Sequence, residues 1–386
     1  MKKLLLLILI IGLGIGGYFY FNQDDSSTPK KNKEDKKVIT LKDSDVKKSI
    51  FKKYYKQAID IVQDMTTEEK VGQLFLVRYE YNDTEYLSNF NPGGYILFAK
   101  DLENHTKDSI KKELKEVNEK NKYPLIFGVD EEGGFVTRVS RFPEFRSEKF
   151  KAPKDYYLEG GYELLEKTET EKAKLLKEIG FNLNLAPVAD VSTNENDFIY
   201  SRAFGKDASK TAEFISKMVG YANKNNINSC LKHFPGYGNN LDTHTGVAID
   251  NRSYEQFKNE DFVPFEAGIK ENVPSILVAH NVVKCMDPTY PASLSSKVIG
   301  ELRNTLGFTG IVITDDLAMD AVKEYVENGE SATLAINAGN DMIITSDFVT
   351  MYKEVLASVN DKKISTDTLN KAVIRIIAWK YYSGIM

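Results

Sequence analysis

Three observations place the chain in the α/β class, as a (β/α)₈ TIM-type barrel forming a single catalytic domain. Eight short apolar runs recur along its 386 residues, and amphipathic helical patterns separate most of them. Their spread over roughly 300 residues fits eight strand–helix units with insertions. Ionisable residues also stand at or just after the runs, where a barrel of this kind collects its catalytic groups.

The runs fall at residues 73–77, 94–98, 125–129, 182–186, 228–232, 275–279, 311–314 and 342–345. Residues 106–121, 164–179 and 211–224 carry apolar side chains at helical spacing between them. Ahead of the first run, Tyr54, Tyr55, Ala58, Ile61 and Val62 form an apolar helical stripe. Thr66 and Glu69 then have the spacing of a capping box and open a further short helix. A doubly wound open sheet is the competing arrangement. It would carry a glycine-rich phosphate loop after the first strand, and no such loop follows.

The amino terminus reads differently. Lys2 and Lys3 precede an uncharged apolar run over residues 4–21, close to the ~20 residues a membrane-crossing helix needs. The run ends in Tyr18, Phe19, Tyr20 and Phe21, an interfacial belt rather than a small-x-small cleavage site. No cysteine follows it to carry a lipid. Residues 1–21 are therefore expected to be a signal-anchor or transmembrane segment, with a cleaved signal as the alternative. The lysines then stay inside, and the rest of the chain sits at the extracellular face of the cell membrane. Residues 22–49, rich in Lys, Asp, Ser and Asn, are expected to be a disordered polar tether. Residues 50–386 form the barrel domain.

Hydrophobic content of 42% supports a sizeable core. A net charge of −5 without a basic stripe argues against a nucleic-acid partner. Cys230 and Cys285 are far apart in sequence and are expected to be buried free thiols, although a disulfide between them stays open.

The chemistry concentrates where the runs end. Asp130 follows the third, Asp190 lies shortly after the fourth, His233 follows the fifth, His280 the sixth and Asp315 the seventh. Beyond His233, a loop with Pro235, Gly236 and Gly238 leads to Asp242 and His244, two residues apart. A carboxylate bonded to one imidazole nitrogen sets the tautomer of the other, so this pair can serve as a general acid and then a general base. A glycine-rich surface loop with incidental polar residues is the plainer alternative. His233, Asp242 and His244 could instead supply metal ligands, but Lys232 beside His233 disfavours a cation, and no metal or other cofactor is expected. Of the adjacent carboxylates Asp315 and Asp316, strand alternation turns only one inward. Asp315 is the inward candidate, and Asp316 is expected to cap the segment that follows. A carboxylate able to attack a sugar carbon plus a separate acid/base is what a retaining glycosidase needs.

Together these stretches resemble glycoside hydrolase family 3, in particular its β-N-acetylhexosaminidase branch. The resemblance runs from about Met65 to Ala378. It rests on the segment from Met65 to Leu74, Gly128 to Gly134, Asn182 to Asp190, Ser201 to Gly205, Lys232 to His244 and Thr314 to Met319. It implies Asp315 as nucleophile and His244, oriented by Asp242, as acid/base. It further implies that Asp130, Arg138, Arg202, Lys232 and His233 bind a terminal N-acetylglucosamine, with cell-wall fragments as the carbohydrate substrate; another family 3 β-glycosidase and an inactive carbohydrate-binding wall protein are the alternatives. Members without the Asp-x-His pair take a carboxylate from a second domain, for which a chain ending at Met386 is not expected to have room. Four positions depart from the family's usual residues. Tyr237 stands for a histidine, Asn239 for an aspartate, Glu131 for a glutamine and Phe135 for an arginine.

Overall fold

The computed structural model describes residues 39, 41, 46, 48–239, 248–319, 322, 325–326 and 329–386. The proposed anchor at residues 1–21 lies outside them, and no helix among the described residues is long and apolar enough to cross a membrane. Folded structure reaches back into the stretch read as a tether. Ile39, Leu41 and Val46 pack against the core, and the Ser49 hydroxyl accepts from Phe51 N–H and Tyr55 O–H.

The helix α1 (Tyr55–Asp64) buries Tyr55, Ala58 and Val62, the stripe its periodicity announced. The helix α2 (Thr67–Gln73) opens on the expected capping box, with Thr66 Oγ1 accepting from Glu69 N–H and the Glu69 carboxylate accepting from Thr66 N–H. Gln73, expected to begin the first strand, is the end of this helix.

Eight parallel strands close into the barrel in the order β1-β10-β9-β7-β5-β4-β3-β2. They are β1 (Phe75–Arg78), β2 (Gly94–Leu97), β3 (Ile126–Val129), β4 (Leu183–Asn184), β5 (Asn228–Phe234), β7 (Ser275–Val278), β9 (Ile311–Thr314) and β10 (Met342–Thr345). Pairing of Phe75 with Ile343 and of Leu76 with Gly94 joins β1 to both neighbours, so no strand edge of the barrel stays unpaired. Their near-continuous burial is what a sheet covered on both faces requires. The remaining strands, β6 (Ile249–Asp250) and β8 (Val282–Val283), make a separate parallel pair.

The outer helices include α3 (Lys107–Glu119), α4 (Pro153–Glu178), α5 (Ala208–Lys224), α6 (Phe262–Lys270), α7 (Ser331–Ala338), α8 (Phe348–Asn360) and α9 (Thr366–Tyr382). The helix α4 starts well before residue 164. Proline at its first position presets the turn, and Gly160 and Gly161 then break the helical path, with φ of 61° at Gly161. That break hides the first two turns from a periodicity reading.

One strand differs in a way that bears on the site. The run read as 228–232 continues to Phe234, so His233 lies inside β5 rather than after it. The register of β5 against β7 shifts between Leu231 and Phe234. Such an irregularity re-aims side chains, and the consecutive Lys232 and His233 both line the same cleft.

Candidate active site

A cleft of about 580 Å³ opens among the carboxyl ends of the strands. Asp130, Arg138, Arg202, Lys232, His233 and Asp315, six residues singled out from the sequence, all line it. Asp242 and His244 lie outside the described residues.

The loop after β3 is built around Glu131. This buried carboxylate accepts from the backbone N–H groups of Arg138 (2.7 Å), Val139 (2.7 Å) and Ser140 (3.2 Å), and from the Ser140 hydroxyl. Asn184 at the end of β4 holds the same residue reciprocally. Its side-chain oxygen accepts from Glu131 N–H and its amide donates to Glu131 C=O. The folded-back loop thus returns Arg138 to the cleft, with its guanidinium 5.7 Å from the Phe98 ring centre. Arg138 Nε is buried and makes no hydrogen bond among the described residues. An acceptor entering the cleft would satisfy it.

Glu132 forms the hub of a buried ion cluster that was not foreseen from the sequence. It accepts a two-pronged contact from Arg202, Nε at 3.0 Å and Nη2 at 2.7 Å, and lies 2.7 Å from Lys232 Nζ. Lys232 also reaches Asp130 at 2.5 Å. Burial by itself would raise the Glu132 carboxyl, but Lys232 and Arg202 outweigh it and hold the group well below the usual carboxylate range. Burial likewise opposes charge on Lys232, and Asp130 and Glu132 overcome it, keeping the ammonium protonated. The signal in the sequence was indirect: two cations placed at one barrel end need an interior anion, and Glu132 stands three residues after β3.

His233 is fixed on both sides. Nδ1 lies 2.8 Å from the Asp190 carboxylate and Nε2 lies 3.1 Å from Arg202 Nη2. The guanidinium can only donate, so Nε2 accepts and Nδ1–H donates to Asp190. Asp190 accepts in addition from His233 N–H and Tyr237 N–H. A metal-ligand role for His233 does not fit this geometry, since both ring nitrogens are engaged and a cation faces one of them.

Asp315 and Asp316 both line the cleft, so alternation does not turn only one of them inward, and they differ instead in their partners. Asp315 donates its N–H to Val278 C=O, lines the cleft, and accepts from Asp316 N–H at 2.9 Å. The Asp316 carboxylate also lines the cleft but accepts from Ala318 N–H and Ser346 N–H, capping a turn. His280 supports this turn from below, fully buried, its Nε2 donating to Asp316 C=O and its Nδ1 paired with Ser293 Oγ. Its place after a strand is therefore structural.

The segment after β5 is clasped at its root. Arg252 bonds Asp250 and Asp261 and donates to Gly236 C=O. A side chain on Gly236 would strike Asp261, and one on Gly238 would strike Arg252. Burial raises the Asp261 carboxyl to about 7 despite the opposing Arg252 charge. Cys230, buried in β5, and the exposed Cys285 are both free thiols, and burial pushes the Cys230 thiol up to about 12.

Residues 66–379 match the model of the glycosyl hydrolase family 3 N-terminal domain. A β-hexosaminidase of Nitrosomonas eutropha is 30% identical over 292 residues, spanning 74% of this chain and 82% of that protein. Another, from Stenotrophomonas maltophilia, is 32% identical over 255 residues, spanning 64% of this chain and 74% of that protein. Among solved structures, a family 3 β-N-acetylglucosaminidase from Paenibacillus superposes with a TM-score of 0.77 at 28% identity, covering 83% of this chain and 63% of that chain. A β-N-acetylhexosaminidase from Beutenbergia cavernae superposes with a TM-score of 0.74 at 25% identity, covering 82% and 99%. With a closed parallel barrel, an acid-rich cleft at its carboxyl end and these relatives, the chain belongs to glycoside hydrolase family 3 and is similar to its β-hexosaminidases.

Proposed function

We propose that the protein is a retaining exo-β-N-acetylglucosaminidase. The observation that carries this reading is that Asp315 opens into one cleft with Asp130, Arg138, Arg202, Lys232 and His233. Fixed donors and acceptors of this kind suit the hydroxyl and acetamido groups of a terminal N-acetylglucosamine. The Asp315 carboxylate attacks the anomeric carbon, and the bond to the leaving oxygen breaks as His244, oriented by Asp242, gives that oxygen a proton. His244 then takes a proton from water, which displaces Asp315 and releases the sugar. The β-hexosaminidase names of the relatives support the acetamido sugar. N-acetylglucosaminyl-capped fragments of peptidoglycan are the proposed substrate. An outward-facing domain, attached to the membrane through residues 1–21, would meet them there.

A chromogenic β-N-acetylglucosaminide should be turned over, with EDTA having no effect. After trapping with a 5-fluoro sugar, mass spectrometry should find the label on the peptide containing Asp315, at that residue. A label on Asp316 would move the nucleophile by one position. Faster cleavage of the matching β-glucoside would overturn the acetamido assignment.

A further inference from the structure

Phe135 and Phe198 stand out among the large hydrophobic side chains of the described residues. Six of these are exposed, and these two line the cleft that holds Asp315, whereas Tyr81, Tyr86, Leu158 and Ile249 do not. Phe135 is 85% exposed. An apolar ring left this open at the wall of the cleft that holds Asp315 marks a contact for something that enters it.

The backbone, not side-chain packing, holds Phe135 in place. It belongs to the turn in which Gly133 N–H donates to Val136 C=O, and Gly134 N–H ties that turn to Phe150 C=O. Gly133 and Gly134 take φ of 103° and 65°, and a side chain on Gly133 would strike Lys151 C=O. The same loop carries Asp130 and Glu132 toward Lys232. Phe198 has a parallel setting. It begins the short helix Phe198–Ser201, directly ahead of Arg202 of the buried cluster. Its ring packs 5.9 Å from Tyr237, which in turn packs 5.0 Å from His233. Each of two loops therefore contributes a charged group to the buried cluster and an exposed ring to the cleft wall.

We propose that Phe135 and Phe198 form an aromatic platform for the leaving group, selecting glycosides whose leaving group is itself a ring, a second pyranose or an aryl group, presented with its apolar face. This rests on the glycosidase reading above. In that reading the leaving group of a sugar held by Asp130, Lys232 and His233 meets the two rings, which line the same cleft. Ring faces stack on phenylalanine through dispersion and desolvation, without needing a charge on the leaving group. The platform also gives the departure at position 135 a consequence: an apolar face stands where the family usually has a cation.

The test compares two substrates in each enzyme. One is the β-1,4-linked disaccharide of N-acetylglucosamine, and the other is methyl β-N-acetylglucosaminide, whose leaving group has no ring. The readout is the ratio of kcat/KM for the first over the second, in the full-length wild type, Phe135→Ala, Phe135→Tyr and Phe198→Ala. The ratio should fall about three- to tenfold in each alanine variant, mainly through KM, and recover in Phe135→Tyr. An unchanged ratio in Phe135→Ala overturns the platform, and so does an equal loss on both substrates. Should the wild type cleave neither compound, the proposed function fails, and calorimetric binding then decides the platform separately. Phe135→Ala should weaken the disaccharide and not free N-acetylglucosamine, whereas a wild type with no preference for the disaccharide overturns the idea. Loss of binding to phosphatidylcholine–phosphatidylglycerol vesicles in Phe135→Ala, with the ratio intact, would assign the ring to a lipid surface and also overturn it.

Discussion

The two ends of the barrel bury charge in opposite ways. At the carboxyl end, Asp130 and Glu132 face Lys232 and Arg202, so two carboxylates meet two cations, and Asp130 keeps access to the cleft. At the amino end, the single carboxylate of Asp341 is shared by Arg303 and Arg375, and Lys380 Nζ donates to the neutral Gln73 side chain. The second arrangement carries a cost. Burial, to which Arg375 adds, pushes Arg303 down to about 10 against the pull of Asp341, and burial alone brings Lys380 to about 7. A charge-balanced cluster can stay open to a ligand and keep its geometry. The other end tolerates imbalance because its purpose is closure, which agrees with the general division of such barrels into a chemical face and a stabilising face.

The sharpest way to break this comparison is at Asp315. Asp315→Ala should lower kcat on a β-N-acetylglucosaminide by at least about 10³-fold while leaving the melting temperature nearly unchanged. A small loss in steady-state turnover would remove Asp315 from the chemistry. Next comes a matched pair of deletions. Glu132→Ala leaves Lys232 and Arg202 short of an anion and should cost about 3–5 kcal/mol in urea unfolding, together with a ten- to hundredfold drop in kcat/KM. Asp341→Ala should cost a similar amount of stability with kcat/KM of the folded enzyme within twofold of wild type. Equal kinetic damage from both would erase the distinction between the ends.

The smaller effects are read against pH. The Glu132 carboxyl is depressed in the folded state, so its contribution is fully present above about pH 4.5, the unfolded value, and is lost as pH falls through the folded one. Glu132→Gln should therefore flatten part of the acid limb of a stability–pH curve. Lys380 has the opposite sense. Its folded pKa of about 7 lies below the unfolded 10.5, so between these values the unfolded chain holds the extra proton and stability rises with pH. Urea unfolding at pH 7, 8.5 and 10 should show a rise of roughly 1 kcal/mol per pH unit that vanishes in Lys380→Met. A flat wild-type curve would mean that the Gln73 contact keeps Lys380 charged.

Legibility in the sequence followed local pattern and failed where tertiary pairing decides. All eight barrel strands were readable to within a few residues, because buried parallel strands are short apolar runs between polar loops. The capping box at Thr66 and Glu69 was readable because it is wholly local. The place of His233 inside β5 rather than after it was not, since the last residues of that strand follow an irregularity against β7. Nor could pattern separate Asp130, Glu131 and Glu132. One lines the cleft beside Lys232, one ties up a loop backbone and one anchors two cations, roles set by residues 7 to 102 positions away.

The helix α9 has a consequence for how the chain is made. Trp379 donates to Asn228 at the start of β5, Lys380 to Gln73 just ahead of β1, and Arg375 pairs with Asp341 just ahead of β10. Every one of these partners is synthesised before α9. A growing chain thus carries all eight barrel strands with their amino-terminal base unsealed until α9 emerges, and the cylinder gains its floor after its walls.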